Sequence, residues 1–428
     1  MKTKKSSQDL LPATADHEGL IPAQGWRKTF SAFRNANYRY FYAGQSVSLI
    51  GTWTRTAALG WVSFQITHSA FLLGLVFMLN SLPIFLFAVY AGSLADRVPK
   101  IRIFTFTSWF SLLSSLSLAA LLFRDPVSIT TLMIFAVLWG LATTFEMPSR
   151  QTLMVELVGK KDLVNAIALN SAMVNSTRVI GPAIGGLLLA SFGAAWCFFL
   201  DAMSYFAVLY AIHRIQLPAS HYAPKKVTAD WKYTLEGFKY LKTHPIIAQA
   251  VLMLLVMGIG GWAYQSQLSA FVVTQLHMDA QGFGWLLALN GLGACTAALF
   301  VASQGAKIVH TRTLYTGAGI YGLFIILFGF MRQPVGGAFF LFFAGFGIIL
   351  FFSLGNSIIQ THSPDHLRGR LMGIWALVFG GGMPIGSLWM GLVASRTNSG
   401  FALQMGGVFC LLGALVIYLS FRNGEPRK

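Results

Sequence analysis

Long apolar runs separated by short polar gaps make up most of this chain. Crossing a bilayer as a helix takes about 20 apolar residues, and runs of that length recur throughout. The pattern predicts spans at Tyr38–Ile66, Phe71–Ala95, Ile101–Phe123, Ile129–Met147, Leu163–Ser191 and Ala194–Ile215. After a polar stretch, His221 to Pro245, six more follow at Ile246–Val273, Phe283–Ala302, Leu314–Met331, Gly336–Thr361, Leu371–Ala394 and Phe401–Phe421. The expected fold class is therefore all-α integral membrane, with twelve transmembrane helices in two six-helix halves. Residues 1–37 form an N-terminal tail, 38–215 the first half, 216–245 a linker, 246–421 the second half and 422–428 a short tail.

The basic residues fix an expected orientation. An even number of spans puts both termini on one side. That side holds Lys2, Lys4, Lys5, Arg27, Lys28, Arg97, Lys100, Arg102, Arg150, Lys160, Lys161, Arg368 and Arg370, together with the lysines of the linker. The opposite loops hold only Arg124, Arg332 and Arg396, while Arg55 and Arg178 fall inside spans. Lys/Arg-rich loops stay in the cytoplasm, so both termini are expected there, with the chain in a bacterial inner membrane. In the linker, Trp231, Leu235, Phe238 and Leu241 recur at helical spacing between Lys232, Lys239 and Lys242. They predict an amphipathic helix lying on the membrane surface or packing against the bundle.

Composition agrees with this pattern. Of 428 residues, 55% are hydrophobic and 11% charged, against about 25% charged in a soluble domain. The formal net charge of +17 would suggest nucleic acid in a soluble chain. Here the basic residues sit between spans and face anionic lipid, so no nucleic-acid partner is expected. Cys197, Cys295 and Cys410 all lie in apolar segments and suggest neither disulfide nor metal. Met1–Gly25 is polar, has no apolar core of a signal peptide, and reads as a disordered tail.

The halves echo one another. The fifth span carries Gly181-Pro182-Ala183-Ile184-Gly185-Gly186-Leu187, and the eleventh carries Gly382-Met383-Pro384-Ile385-Gly386-Ser387-Leu388. Duplicated helical units are a common build of transporters, with the substrate site at the repeat interface near the midplane.

The loop after the second span, Gly92-Ser93-Leu94-Ala95-Asp96-Arg97-Val98-Pro99-Lys100-Ile101-Arg102, resembles the loop motif of the major facilitator superfamily. It departs at Pro99, where that family usually has glycine. The resemblance implies that Gly92, Asp96, Arg97, Lys100 and Arg102 form a conformational latch. Gly92 would permit close helix approach, and Asp96 would face a helix N-terminus across the seam between halves. Ser303 to Arg312, the matching loop of the second half, has no acid, so the latch is one-sided. Arg178, Gly181, Pro182, Gly185 and Gly186 resemble the fifth-helix motif of exporters in the superfamily. Phe30–Gly51, Gly60–Leu75, Asn165–Gly186 and Leu235–Leu241 are similar to its enterobactin-exporter-like branch. That likeness implies a monomeric exporter of amphiphilic small molecules, driven by a proton gradient and using no cofactor.

Embedded charges are the candidates for chemistry, because each costs about 2.5–3.5 kcal/mol at the bilayer centre on insertion scales. In the fold implied by resemblance, the first and fourth helices line the cavity and the sixth is peripheral. Arg55 is then the expected cavity-lining cation, and a midplane made positive by Arg55 and Arg178 would favour an anionic substrate. Asp201 is a proton carrier or the partner of an internal arginine; Glu146 is a proton carrier or the partner of Arg150. The second half has no acid within a span, so a proton carrier must lie in the first. Trp53, Asn80, Asn170, Tyr264, Gln265, Asn290, Asn356 and Gln360 are further candidates for substrate binding, with Asn175, Trp262 and Gln267 beside them.

Other classes fit less well. The nucleotide-binding loop Gly-x-x-x-x-Gly-Lys-Ser/Thr is absent. The spans lack the convergent His, Asp and Glu of a catalytic or metal centre, and a duplicated single chain is unlike a channel built from rings of filter residues. An importer of the same fold and a non-transporting sensor remain as alternatives.

Overall fold

The computed structural model describes residues 31–216, 237 and 239–422. Among these, helices account for nearly everything and there is no strand. The first half comprises α1 (Ala36–Thr67), α2 (Ala70–Arg97), α3 (Lys100–Arg124), α4 (Ile129–Gly159), α5 (Asn165–Ser191) and α6 (Ala194–Arg214). The second comprises α7 (Pro245–Thr274), α8 (Ala280–Gln304), α9 (Thr311–Gly329), α10 (Pro334–His362), α11 (Asp365–Arg396) and α12 (Ser399–Arg422). All but α1 are long and apolar enough to span a membrane. The first helix falls short because Gln45, Thr52, Thr54, Arg55 and Thr56 interrupt it.

Polar caps set several helix starts. Asn35 accepts from the backbone N–H groups of Asn37 and Tyr38, Ser69 from Leu72, Ser128 from Thr131 and Asp279 from Gly282. Each satisfies donors that a helix N-terminus leaves free. At the boundary of α4 and α5 the chain turns at Gly159, where φ is +68°, a conformation costly for any residue with a Cβ.

Two expectations are corrected. The fourth span runs to Gly159 rather than Met147, because Glu146, Arg150 and Glu156 continue the helix as a charged extension. Glu146 and Arg150 pair at 3.9 Å four residues apart, and Glu156 reaches Lys100 at 3.3 Å. The seventh span is not a single regular helix. Pro245–Val256 gives way to a π turn at Met257–Gly261 and a 3₁₀ turn at Trp262–Tyr264, before Gln265–Thr274 resumes the α-helix. Glycines cause the break: Gly258 lies against Gly382, and Gly260 against Gly406 and Cys410. The proposed linker helix falls mostly outside the described residues. Its described end, Tyr240 and Leu241, packs on the second half's core.

Each half has its own packed interior. Leu59, Val76, Leu118, Trp139 and Phe198 fill the first half, with a second cluster of Tyr38, Phe41, Phe104 and Leu153 nearer its charged end. Leu254, Tyr264, Phe271, Phe328 and Phe351 lie in the continuous core of the second. The outer surface is apolar, with Phe106 70% and Leu299 65% exposed, as befits a lipid-facing wall.

Lipid offers no hydrophobic drive for helices to associate, so close packing by small residues carries the contact. The two sequence echoes do the same job in the two halves. A Cβ on Gly181 would lie 2.5 Å from Trp53 Cβ and 2.8 Å from the Ile50 carbonyl, locking α5 onto α1. In α11, Gly382 and Gly386 press against Gly258 and Ile259 of α7.

The halves touch between mid-depth and the end that bears the α1–α2 and α7–α8 connections, here called the far end. Gly186 of α5 meets Gly284 of α8, where a Cβ would come within 2.5 Å of the opposing Cα. Gly74 of α2 meets Ser387 and Gly391 of α11. The Ser269 hydroxyl donates to the Gly60 carbonyl at 2.9 Å and Gln267 Nε2 to the Ala70 carbonyl at 3.2 Å. At the other end, where the linker attaches, a Cβ on Gly92 or Gly373 would meet nothing within 4 Å. Among the described residues, the contacts between halves named here all lie between mid-depth and the far end.

Candidate substrate site and buried charge network

Where the halves meet, a small cavity of about 30 Å³ is lined by Trp53, Thr56, Ala57 and Gly60 of α1, Phe77 of α2, Arg178 and Pro182 of α5, Gln265 of α7, and Phe283, Leu287 and Asn290 of α8. Such a space holds one or two waters; a larger ligand needs the helices to part.

Arg178 is the charge in this lining. It is 5% exposed, and among the described residues no carboxylate pairs with it. Its Nη2 is buried without a hydrogen-bond partner. Two indoles hold it instead: the guanidinium centre lies 4.5 Å from the Trp262 ring and 5.2 Å from that of Trp53. Aromatic faces attract a cation, more strongly when water is excluded, but they leave Nη2 without an acceptor. Pro182 contributes to the setting. It cannot donate to the Arg178 carbonyl four residues earlier, and Gly291 of α8 lies against that carbonyl. Beside it, the Tyr264 hydroxyl donates to Asn290 Oδ1 at 2.7 Å, and Asn290 Nδ2 to the Leu341 carbonyl at 3.0 Å. Tyr264 and Asn290 are thereby held in place, while Gln265 faces the cavity.

Arg55 is placed differently from the expectation that it lines the cavity. It points into the first half, where Asp201 of α6 stands opposite, and Nη1 meets Asp201 Oδ2 at 2.8 Å. Ser115 Oγ donates to the same oxygen at 2.5 Å, and Trp139 Nε1 donates to Ser115 at 3.1 Å. The Trp139 ring also lies 4.6 Å from the Arg55 guanidinium, and Tyr205 OH lies 3.4 Å from Nη1. Asp201 is fully buried, and its Oδ1 has no partner. Gly51 lets α1 approach Ser204 and Asp201 closely enough for the pair to form. The positive midplane expected from two arginines thus reduces to Arg178, since Asp201 neutralises Arg55.

The other candidates are scattered. Asn80 Nδ2 donates to the Ala136 carbonyl at 3.0 Å and ties α2 to α4. Asn175 Nδ2 donates to the Ser171 carbonyl at 2.8 Å on its own helix. Asn170 is half-buried on α5, and Gln360 and Asn356 bond to each other on α10. Glu146 pairs with Arg150. In the loop motif, the Asp96 side chain lies outside the described residues, Arg97 and Arg102 are exposed, and Lys100 pairs with Glu156. The close approach expected at Gly92 is not made: a Cβ there would meet nothing within 4 Å. Sequence reasoning missed Ser115, Trp139 and Tyr205 as the surroundings of the ion pair. Their only signal was a polar atom within an apolar span.

Solved structures with the same architecture include a transporter of the POT family in complex with a thioalcohol-conjugated peptide. It has a TM-score of 0.74 and 13% identity, over 91% of this chain and 96% of that one. A bacterial homologue of the human lysosomal transporter Spinster, inward-facing and unoccupied, has a TM-score of 0.70 and 14% identity, over 91% and 97%. Two helical halves meeting around a central seam are the architecture of the major facilitator class. A family model described as transmembrane secretion effector, MFS_3, matches residues 27–425, and the chain belongs to that family. It is similar to the staphyloferrin A transporter of Staphylococcus aureus (strain NCTC 8325 / PS 47), 26% identical over 90% of this chain and 96% of that one. It is also similar to the enterobactin exporter EntS of Shigella boydii serotype 4 (strain Sb227), 28% identical over 94% and 95%. The chain is a multi-pass membrane transport protein rather than an enzyme.

Proposed function

We propose that this protein exports a small anionic amphiphile of siderophore type across the bacterial inner membrane by alternating access, with proton entry as the driving force and both termini cytoplasmic. The carrying observation is Arg178, a buried cation with unsatisfied donors, held between two indoles and lining the cavity between the halves. A carboxylate or catecholate would supply the missing acceptor, with charge-assisted hydrogen bonds that a neutral solute lacks. Trp53, Phe77 and Phe283 offer the apolar contact that an amphiphile needs. Export direction is supported by the fifth-helix Gly/Pro motif and by the similarity to enterobactin exporters. With Lys/Arg-rich loops in the cytoplasm, the linker end faces inward and the far end, where the halves meet, faces outward.

The proton is carried in the first half, by Asp201 or Glu146. Protonating Asp201 would weaken its pairing with Arg55 and so free α1 against α6. Transport should lose its dependence on an imposed pH gradient when Asp201→Asn and Glu146→Gln are combined; unchanged pH-driven flux would reject both residues as carriers.

The defining experiment compares spent medium and cell contents of wild-type and gene-deleted cells by mass spectrometry, with and without iron. Export predicts an anionic metabolite lost from the medium and retained in deleted cells, most strongly without iron. A compound left unused in the medium of deleted cells would make the protein an importer instead.

A further inference from the structure

A second cavity lies on the outside of the first half. With a volume of about 490 Å³, it sits between α2 and α3, with α4 as its floor. Tyr90 and Leu94 form one wall, Phe106 and Phe110 the other, and Leu141 and Phe145 the base. Its orientation follows from helix geometry. Phe85 of α2 packs against Gly381 across the seam between halves. Tyr90 comes five residues later and is turned about 140° from it at 3.6 residues per turn. The groove therefore faces lipid, not the substrate pathway, and Tyr90 and Phe106 are 62% and 70% exposed along it.

Polar chemistry is confined to one end. Thr107 bonds back to the Ile103 carbonyl at 3.0 Å. Arg102, in the first turn of α3, lines the groove at the linker end and is exposed. Among the described residues it has no carboxylate partner, whereas nearby Lys100 is held by Glu156 at 3.3 Å. From Arg102 to Phe110 the helix rises about 12 Å, close to the roughly 15 Å of one leaflet's hydrocarbon. A cation at the membrane surface above an apolar slot one leaflet deep matches the shape and charge of one molecule.

We propose that this groove binds an anionic phospholipid, one acyl chain lying between α2 and α3 and the headgroup phosphate held by Arg102. Zwitterionic lipids of the same chain fit the slot but present a phosphate offset by their own cation, so the site discriminates by headgroup charge.

The test is native mass spectrometry of the full chain in detergent, with dioleoylphosphatidylglycerol and dioleoylphosphatidylcholine added at equal concentration. The wild type should retain phosphatidylglycerol preferentially. Arg102→Gln should lower that retention roughly tenfold, the loss of one charge-assisted contact, and bring the two lipids level. Ala142→Leu, which fills the slot from the floor, should reduce both. Retained preference in Arg102→Gln, or undiminished binding in a folded Ala142→Leu, would overturn the site and leave an adventitious annular lipid only. Phosphatidylglycerol with a photoreactive acyl chain gives a check on the wild type alone. Crosslinks should concentrate on the α2, α3 and α4 peptides, and an even spread over all helices would count against the groove.

Discussion

At the scale of single residues, two arginines buried at similar depth have opposite fates. Arg55 has its counter-ion within the fold at 2.8 Å, and Arg178 lies between aromatic faces with no carboxylate beside it among the described residues. Removing one partner of a buried pair costs about 3–5 kcal/mol, because a lone charge remains in low dielectric. Asp201→Asn should therefore lower the melting temperature in detergent clearly, and adding Arg55→Gln should recover much of the loss. A double variant no more stable than the single would mean that the pair is not the source. Arg178→Gln should behave otherwise. It removes an uncompensated charge, so stability should hold or rise, while affinity for an anionic substrate should fall roughly 10- to 100-fold, as loss of a charged hydrogen bond or two would give. Equal affinity in that variant, measured by transport kinetics in proteoliposomes, would remove Arg178 from the site. Both arginines stood out in the sequence as charges inside apolar spans. Which one was neutralised was not legible, because Asp201 and Arg55 lie 146 residues apart and only the packing of α6 on α1 brings them together.

At the scale of helices, hydropathy located most spans within a few residues, since twenty apolar residues in a row have few alternatives in water or lipid. It failed where other forces act. The charged extension of α4 past Met147 is held by ion pairs that hydropathy does not count. The break in α7 follows glycine contacts with α11 and α12, which depend on the partner helices and not on α7 alone. The glycines also decide how the far end closes. Gly186 and Gly284 allow backbones to meet where any side chain would clash. Gly284→Leu should therefore hold the far end open. Spin labels on the far-end loops should show a longer α5–α8 separation, while an unchanged distance distribution would mean that the closure does not depend on this contact.

At the scale of the whole molecule, the described contacts that join the two halves lie in their middle and far portions. Orientation in the membrane rests on the distribution of Lys and Arg. A fluorescent-protein fusion at the C-terminus should mature and fluoresce, and an alkaline phosphatase fusion there should be inactive; the reverse pair of results would invert the topology. The π turn at Met257–Gly261 bears on how the halves can move. A π turn carries one more residue than the α-helix around it. Tightening it into α geometry would rotate the remainder of α7 by about 100° and advance it by about 1.5 Å. Trp262 follows directly after that turn and holds Arg178, a residue of the opposite half. Winding and unwinding of this one turn would therefore act as a clutch: in one register the indole grips the arginine and couples the halves, and in the other it lets go.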